Sequence, residues 1–144
     1  MPADKIEFHN FLEWKGGKKA NLRFIESRQE IEVATPPQFG GDEGITTPED
    51  LFVSSVNTCF MTTFLAFAGK MGIGLVSYES EAEGVLEKVD DLRVFTTVVL
   101  KPKIKAEAEV ETVEQVINQV KKRSIVVNSV KCEVVVEAEV EQMK

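Results

Sequence analysis

Two cysteines are the residues of this chain best suited to redox chemistry, and their surroundings differ. Cys59 stands near the middle of a run from Leu51 to Gly69 that contains no charged residue. Small polar side chains flank it, whereas a helix built only for packing would more often use leucine, isoleucine and alanine. Cys132 lies in an alternating valine-rich stretch, which favours a small buried hydrophobic residue. From spacing alone, packing is the better-supported interpretation of Cys59 too, and a reactive thiol is the alternative.

A reactive Cys59 requires a group that stabilises its thiolate, such as a nearby cation, a helix N-terminus or a hydrogen-bond donor. The start of its own helix is too far away for this purpose. Glu49 precedes Cys59 by ten residues, which corresponds to roughly 15 Å of helical rise. Glu49 and Cys59 therefore cannot touch along the helix, and a shared site would need another segment or a second subunit.

The uncharged run predicts a long helix. Thr47 is a good N-cap, Pro48 fits the first helical position, and the acidic residues that follow favour the positive end of the helix dipole. The 19 uncharged residues of Leu51–Gly69 could just span a bilayer. Six of them are serine, threonine or asparagine, and the flanks lack aromatic belts and clustered basic residues. We therefore expect no membrane partner and a helix buried on nearly all sides of a soluble protein.

The remaining patterns predict an α+β fold in a single domain over residues 1–144. Alternation of apolar and polar residues predicts strands over 5–14, 21–27, 30–35, 75–87, 92–104 and 125–140. A second helix is predicted over 112–123, with Thr112 as its cap. Its buried stripe is expected to be Val113, Val116, Ile117 and Val120. Residues 35–44, with two prolines and three glycines, are expected to form a loop.

Composition excludes several classes of function. The formal charge of −7 and the pI of about 4.9 argue against a nucleic-acid partner, which requires a basic face. The single histidine, His9, is expected to be structural or exposed, and no CxxC or HExxH spacing supports a metal site. The N-terminus lacks the apolar core of a signal peptide. Two cysteines without an export signal favour a reducing cytoplasm over a disulfide framework.

The segment TTPEDLFVSSVNTCF resembles the signature of the OsmC/Ohr family, the osmotically inducible and organic hydroperoxide resistance proteins. The matching positions are Gly40, Gly41, Thr47, Pro48, Glu49, Leu51, Cys59 and Phe60. The resemblance extends over nearly the whole chain and is specific for fold. It implies an OsmC-like α+β fold, with antiparallel sheets around a long buried central helix. It also implies an intertwined homodimer with two active sites at the subunit interface.

The same resemblance implies a set of catalytic residues. Cys59 takes the position of the peroxidatic cysteine and Glu49 that of the glutamate. Lys18 falls at the position of the family's arginine, where it keeps the charge but lacks the two-pronged fork. Arg23 and Arg28 are spatial alternatives for that cation.

The family's second cysteine, which closes a disulfide with the first, corresponds here to Ser124. Serine cannot form that disulfide. Cys132 lies eight residues further on, and we expect it to be too far from Cys59 to replace the missing sulfur. We expect Lys18 or an arginine to lie within reach of Cys59 or Glu49.

The resemblance therefore implies a thiol-dependent peroxidase that reduces organic hydroperoxides through Cys59 without an intramolecular resolving cysteine. It would need no cofactor, only an external thiol or dithiol reductant. The alternative is a catalytically reduced protein of the same fold that binds a small hydrophobic ligand at the dimer interface. A purely structural or interaction role is the third possibility. For the first two possibilities, the expected partners are a second copy of the chain and a small hydrophobic peroxide or ligand, with no metal.

Overall fold

The computed structural model describes residues 5–144, which form an α+β structure with two sheets. The chain divides into an N-terminal unit that ends at Phe52 and a C-terminal unit, Val53–Lys144. The predicted α+β class is confirmed, and a single domain over 1–144 stays a prediction. Residues 1–4, which belong to the segment judged not to be a signal peptide, lie outside the described residues.

The N-terminal unit contains an antiparallel sheet of three strands: β1 (Asn10–Trp14), β2 (Lys19–Phe24) and β3 (Glu30–Ala34). The three predicted strands are confirmed, β1 and β3 with shorter bounds and β2 with bounds shifted towards the N-terminus. The β1–β2 turn requires glycine, because Gly16 and Gly17 have φ angles of 96° and 57°. The predicted 35–44 loop follows β3 and contains one short 3₁₀ turn, Pro37–Phe39.

Helix α1, Pro48–Lys70, begins where its capping residues predict. The Asp50 backbone N–H donates to Thr47 Oγ1 at 3.0 Å, and the Thr47 N–H donates to Asp50 Oδ2 at 3.0 Å. Each residue therefore satisfies a helix-terminal donor of the other. By length and composition α1 is apolar enough to cross a membrane, although the core helix of a soluble protein meets the same criterion.

The burial of α1 differs from the expectation of a helix enclosed on nearly all sides. Within one chain its buried residues form a single stripe with a spacing of four: Val56, Phe60, Phe64 and Ala68. Between Leu51 and Gly69, small residues dominate the exposed positions, which are Ser54, Ser55, Thr58, Thr62, Leu65, Ala66 and Gly69. Within one chain, therefore, one face of α1 is buried and other parts of its surface are exposed.

The C-terminal unit is built on a long hairpin of β4 (Gly74–Val89) and β5 (Leu92–Glu107). The turn residues Asp90 and Asp91 have φ angles of 49° and 65°, which short acidic side chains tolerate better than most. Two short strands, β6 (Glu133–Val136) and β7 (Glu139–Gln142), pair with β5 in parallel. This sheet is therefore mixed, whereas the resemblance implied antiparallel sheets.

The predicted single strand over 125–140 is wrong in its first half. A 3₁₀ turn, Val127–Ser129, stands where alternation predicted extended chain, and Cys132 lies directly before β6 rather than within a strand. Backbone hydrogen bonds close this turn, with the Asn128 N–H donating to Ser124 O at 3.0 Å. Alternation of valines cannot reveal such bonds.

Helix α2, Val110–Arg123, confirms the second predicted helix and its buried stripe of Val113, Val116, Ile117 and Val120. Its N-cap is Glu109 rather than Thr112. Ser124 ends the helix, with its N–H donating to Val120 O at 2.8 Å. The helix therefore delivers Ser124 and the following turn to the rest of the C-terminal unit.

Candidate functional site

Within the C-terminal unit, α1 packs closely against β4, and this packing fixes the position of Cys59 relative to the strand. A Cβ atom at Gly84 of β4 would lie 2.4 Å from the Val53 side chain, so only glycine permits this approach. One turn further along, the Asn57 side chain donates to Ser80 O at 3.2 Å. Cys59 follows on the same helix and is half-buried. The thiol is therefore held by a rigid element while part of its surface stays open.

The thiol of Cys59 faces the segment that follows α2. Ser124 Oγ–H donates to Cys59 Sγ at 3.1 Å, and the Val126 N–H donates to the same sulfur at 3.4 Å. The Thr63 hydroxyl lies 3.9 Å from Sγ, but it also donates to the Cys59 carbonyl at 2.8 Å. The sulfur thus receives its clearest hydrogen bonds from a serine and a backbone amide.

These donors change the acidity of the thiol. Burial of Cys59 is the largest single influence and raises its pKa, because a charged sulfur loses hydration. Hydrogen bonds from Ser124, from the Val126 N–H, from Thr63 and from the Ile125 N–H act in the opposite direction. Together they outweigh burial, and the pKa of the Cys59 thiol is lowered. The site therefore raises the fraction of thiolate, the nucleophilic form of cysteine, relative to an ordinary cysteine.

The segment that carries the donors is itself fixed by hydrogen bonds. The Asn128 side-chain amide donates to Ser124 O at 2.6 Å and to Lys122 O at 3.2 Å. Ser129 Oγ–H donates to Ile125 O at 2.7 Å. Asn128 thus links the end of α2 to the 3₁₀ turn, and it holds Ser124 in the position from which its hydroxyl reaches the sulfur.

Glu49 and Lys18 both lie in the N-terminal unit. Glu49 is in the first turn of α1, and its Oε1 atom is buried without a hydrogen-bond partner among residues 5–144. Lys18 lies in the β1–β2 turn, and its ammonium donates a hydrogen bond to Phe39 O at 3.2 Å. Within the described chain, Lys18 and Glu49 form no ion pair with each other. Lys18 is therefore bound to a carbonyl, while a buried carboxylate oxygen lacks a partner.

Two of the three glycines of the 35–44 loop are required within the N-terminal unit, Gly41 by a close backbone contact and Gly40 by its positive φ angle. A Cβ at Gly41 would lie 1.6 Å from Thr35 O, so the loop passes directly over the end of β3. Gly40 has a φ of 88°, and its Cβ would lie 2.7 Å from Lys18 Nζ. The Gly-Gly pair therefore permits both the backbone crossing and the position of the Lys18 ammonium.

The outcome for the predicted residues is mixed. Both cysteines are free thiols. The roles of Cys59, Glu49 and Lys18 stay predictions. In the sequence, Ser124 is identified only as the replacement of a cysteine. The sequence does not predict that the segment after α2 donates hydrogen bonds to Cys59. The place of Ser124 in the family pattern was the available signal, because a residue that could close a disulfide with Cys59 must lie close to it.

Comparison with known proteins identifies a family. Residues 40–139 match the family described as OsmC-like protein. No curated protein matches this chain at a significant level. A similar solved structure is the OsmC-like protein of unknown function from Vibrio cholerae, at 23% identity and a TM-score of 0.86, with 93% of this chain and 99% of that chain covered.

Two further solved structures share the fold. The organic hydroperoxide resistance protein OsmC from Legionella pneumophila is 21% identical, with a TM-score of 0.74 over 95% of this chain and 99% of that chain. The organic hydroperoxide resistance protein from Elizabethkingia anophelis is 17% identical, with a TM-score of 0.77 over 96% of this chain and 98% of that chain. Identities this low establish the fold alone.

Proposed function

The chain belongs to the OsmC-like protein family, and on that premise we propose that it is a thiol-dependent peroxidase that reduces organic hydroperoxides through Cys59. The observation that carries the proposal is the thiol itself. Cys59 is half-buried on a rigid helix, accepts hydrogen bonds from Ser124 and Val126, and has a lowered pKa. A lowered pKa increases the thiolate fraction at neutral pH, which a peroxide-reducing cysteine requires.

The first half of the proposed reaction oxidises Cys59. Its thiolate sulfur attacks one oxygen of the hydroperoxide, an S–O bond forms, and the O–O bond breaks. The alkoxide that leaves takes a proton and departs as an alcohol. Cys59 is then a sulfenic acid, oxidised by two electrons, while the hydroperoxide has been reduced by two electrons.

The second half reduces Cys59 with an external thiol. The thiol attacks the sulfenic sulfur, water leaves, and a mixed disulfide forms. A second external thiol, or the second sulfur of a dithiol, then releases Cys59 as a thiol and carries away the disulfide. This route needs no second protein sulfur, in agreement with Ser124 beside Cys59. Such reductants abound in a reducing cytoplasm, the location that we propose.

Organic hydroperoxides are the proposed substrate class for two reasons. The solved relatives from Legionella and Elizabethkingia are named organic hydroperoxide resistance proteins. In addition, the Ile125 side chain, next to Ser124, is 77% exposed. An exposed branched side chain at this point offers apolar surface to the organic group of a hydroperoxide, which hydrogen peroxide lacks.

We also propose that the working form is a homodimer and that Glu49 and Lys18 take part in binding and orienting the peroxide. Two features of the described chain support the dimer. One face of α1 is exposed and rich in small residues, which allow helices to approach closely. Large apolar side chains in and near β1 are also exposed, among them Phe8 at 83% and Trp14 at 73%. Exposed apolar surface of this kind marks interaction sites.

The test is peroxide consumption by purified protein, with cumene hydroperoxide or hydrogen peroxide as oxidant and a monothiol or a dithiol as reductant. We expect faster turnover of cumene hydroperoxide and loss of turnover in Cys59→Ser. Cys132→Ser is the matched control and should retain activity. No consumption with any reductant would show that the chain is not a peroxidase.

The alternative function, binding of a small hydrophobic ligand without catalysis, is favoured by one observation. Lys18 is held by a backbone carbonyl rather than by Glu49, so the pair of Lys18 and Glu49 is not assembled within the described chain. Mass spectrometry of the native protein distinguishes the two functions. A co-purifying apolar molecule, together with no peroxide turnover and slow alkylation of Cys59, would favour ligand binding.

A further inference from the structure

Ser124 is an unusual residue in this chain because its hydroxyl is fully buried. Its relative exposure is 0%, and a buried hydroxyl needs a hydrogen-bond partner. The other buried polar side chain among the described residues, Thr47, caps α1. Ser124 instead directs its hydroxyl at Cys59 Sγ, 3.1 Å away. The hydrogen-bond partner of this fully buried hydroxyl is therefore the Cys59 thiol.

Of the other donors near the sulfur, the Thr63 hydroxyl and the Val126 N–H are less well placed than Ser124. The Thr63 hydroxyl has its proton directed at the Cys59 carbonyl, 2.8 Å away, and lies 3.9 Å from the sulfur. The Val126 N–H reaches the sulfur at 3.4 Å. Ser124 is thus the nearest donor to Sγ, with the Val126 amide second.

Charged groups are scarce on the two segments that meet at Cys59. No charged residue occurs in α1 between Asp50 and Lys70. The last turn of α2 carries Lys121, Lys122 and Arg123, and all three are exposed to solvent, where ions screen their charges. Burial and hydrogen bonds from neutral groups are the leading influences on the Cys59 pKa.

We infer that Ser124 is the residue that holds Cys59 as a thiolate, with the Val126 amide as its second donor. Neutral donors then perform in this chain the stabilisation that a cation provides in many reactive-cysteine sites. The physical reason is that a hydrogen bond strengthens when its acceptor becomes charged. The inference deepens the proposed function, on which it rests for the role of Cys59 as the reacting thiol.

The test measures the rate of Cys59 alkylation by iodoacetamide as a function of pH, in a Cys132→Ser background so that one thiol reacts. Ser124→Ala removes the hydroxyl and leaves an apolar neighbour. We expect the thiolate-to-thiol ratio at neutral pH to fall about tenfold, with the pH midpoint shifted upward accordingly. Ser129→Ala is the matched control. It removes a hydroxyl from the segment that follows α2, one that bonds Ile125 O rather than the sulfur, and should shift the midpoint much less than Ser124→Ala does.

An unchanged midpoint in folded Ser124→Ala would overturn the inference, and so would an equal shift in Ser129→Ala. A second variant tests the contact directly. Ser124→Cys places a sulfur beside Cys59, and diamide should oxidise the two thiols to a disulfide while it is itself reduced to the hydrazine. Peptide mass spectrometry would detect the link, and its absence in folded protein would also count against the inference.

These measurements use no peroxide, so the two proposals can fail separately. A protein that consumes no hydroperoxide but shows the Ser124-dependent midpoint retains this inference and loses the proposed function. A protein that consumes hydroperoxide with the same alkylation profile in Ser124→Ala retains the proposed function and loses this inference.

Discussion

The two units of the chain prepare their candidate residues by different physical means. In the C-terminal unit, Cys59 receives hydrogen bonds from neutral donors on a well-fixed turn, and its pKa is lowered. In the N-terminal unit, the candidates are charged residues. Lys18 is bound by the Phe39 carbonyl, and Glu49 retains a buried oxygen without a partner in the described chain. One unit has a completed thiol environment, whereas in the other the two candidate charges, Lys18 and Glu49, are not paired with each other.

This difference separates two requirements of peroxide reduction. Making a thiolate requires stabilisation of charge on sulfur, and a serine hydroxyl with a backbone amide can supply it. Binding and orienting a polar peroxide is a separate task, for which charged groups are better suited. In the function that we propose, Ser124 performs the first task, and Lys18 and Glu49 perform the second.

The N-terminal unit depends on the close approach of the 35–44 loop to the end of β3, and Gly41→Ala should disrupt this contact. The added methyl group would lie 1.6 Å from Thr35 O, so the backbone must move. We expect a loss of about 3 kcal/mol in the free energy of unfolding. Urea denaturation, followed by circular dichroism, measures the change.

Gly44→Ala is the matched control for Gly41→Ala, because it lies in the same loop with open space around its Cβ position. Its φ of 80° leaves only backbone strain, which we expect to cost about 1 kcal/mol. Equal losses in the two variants would show that crowding at Thr35 is not what requires glycine at Gly41.

The C-terminal unit depends instead on side-chain hydrogen bonds, and Asn128→Ala should loosen the turn that presents Ser124. The variant loses the bonds to Ser124 O and Lys122 O. We expect a loss of about 1 kcal/mol in stability and an upward shift in the pH midpoint of Cys59 alkylation. Asn118→Ala, on the exposed face of α2, is the control and should leave the midpoint unchanged. A stable Asn128→Ala protein with an unaltered midpoint would contradict the positioning role of the turn.

The sequence predicted the features that short-range chemistry determines. Thr47 and Pro48 marked the start of α1 because capping is a local event. The stripe of α2, from Val113 to Val120, followed from the helical period. The strands predicted over 75–87 and 92–104 correspond to β4 and β5.

The features that escaped prediction depend on contacts between distant residues. The 3₁₀ turn at Val127–Ser129 lies in a valine-rich segment whose alternation indicates a strand, and hydrogen bonds of Asn128 override that local preference. Ser124 and Cys59 are separated by 65 positions. Their hydrogen bond arises only when α2 delivers the serine to α1. The family resemblance distinguishes Cys59 from Cys132, but it does not predict that Ser124 donates a hydrogen bond to Cys59.

If neutral donors stabilise the thiolate, a charge change at Lys18 should leave the acidity of Cys59 unaltered. Lys18→Met removes an ammonium that is bound to Phe39 O, while the sulfur keeps its neutral donors. We expect a change of less than about twofold in the alkylation rate at neutral pH, in low and in high salt, because neutral donors are not screened. The kcat/KM for cumene hydroperoxide should fall, since peroxide binding is the role proposed for Lys18. A midpoint shift as large as that of Ser124→Ala would place thiolate stabilisation on Lys18 instead.

The smallest effect is expected at His9, where the N-terminal unit again uses charge. Its Nδ1 lies 2.5 Å from Glu26 Oε2, and this hydrogen bond is the main reason that the pKa of His9 is raised, followed by the charge of Glu26 and a hydrogen bond to Glu7. Because the folded-state pKa exceeds the unfolded value, the contact stabilises the fold below the unfolded pKa. That contribution is lost as the pH rises through the folded pKa.

His9 is the only histidine in the chain, so its ring proton gives a single NMR titration. Glu26→Gln should move the midpoint down towards the ordinary value of about 6.5, and the exposed Glu43→Gln should leave it in place. High salt should reduce the upward shift at His9, because both partners are solvent-exposed, while the Cys59 midpoint stays constant. Equal salt sensitivity at both sites would mean that Cys59 too is governed by charge, and the contrast between the two units would fail.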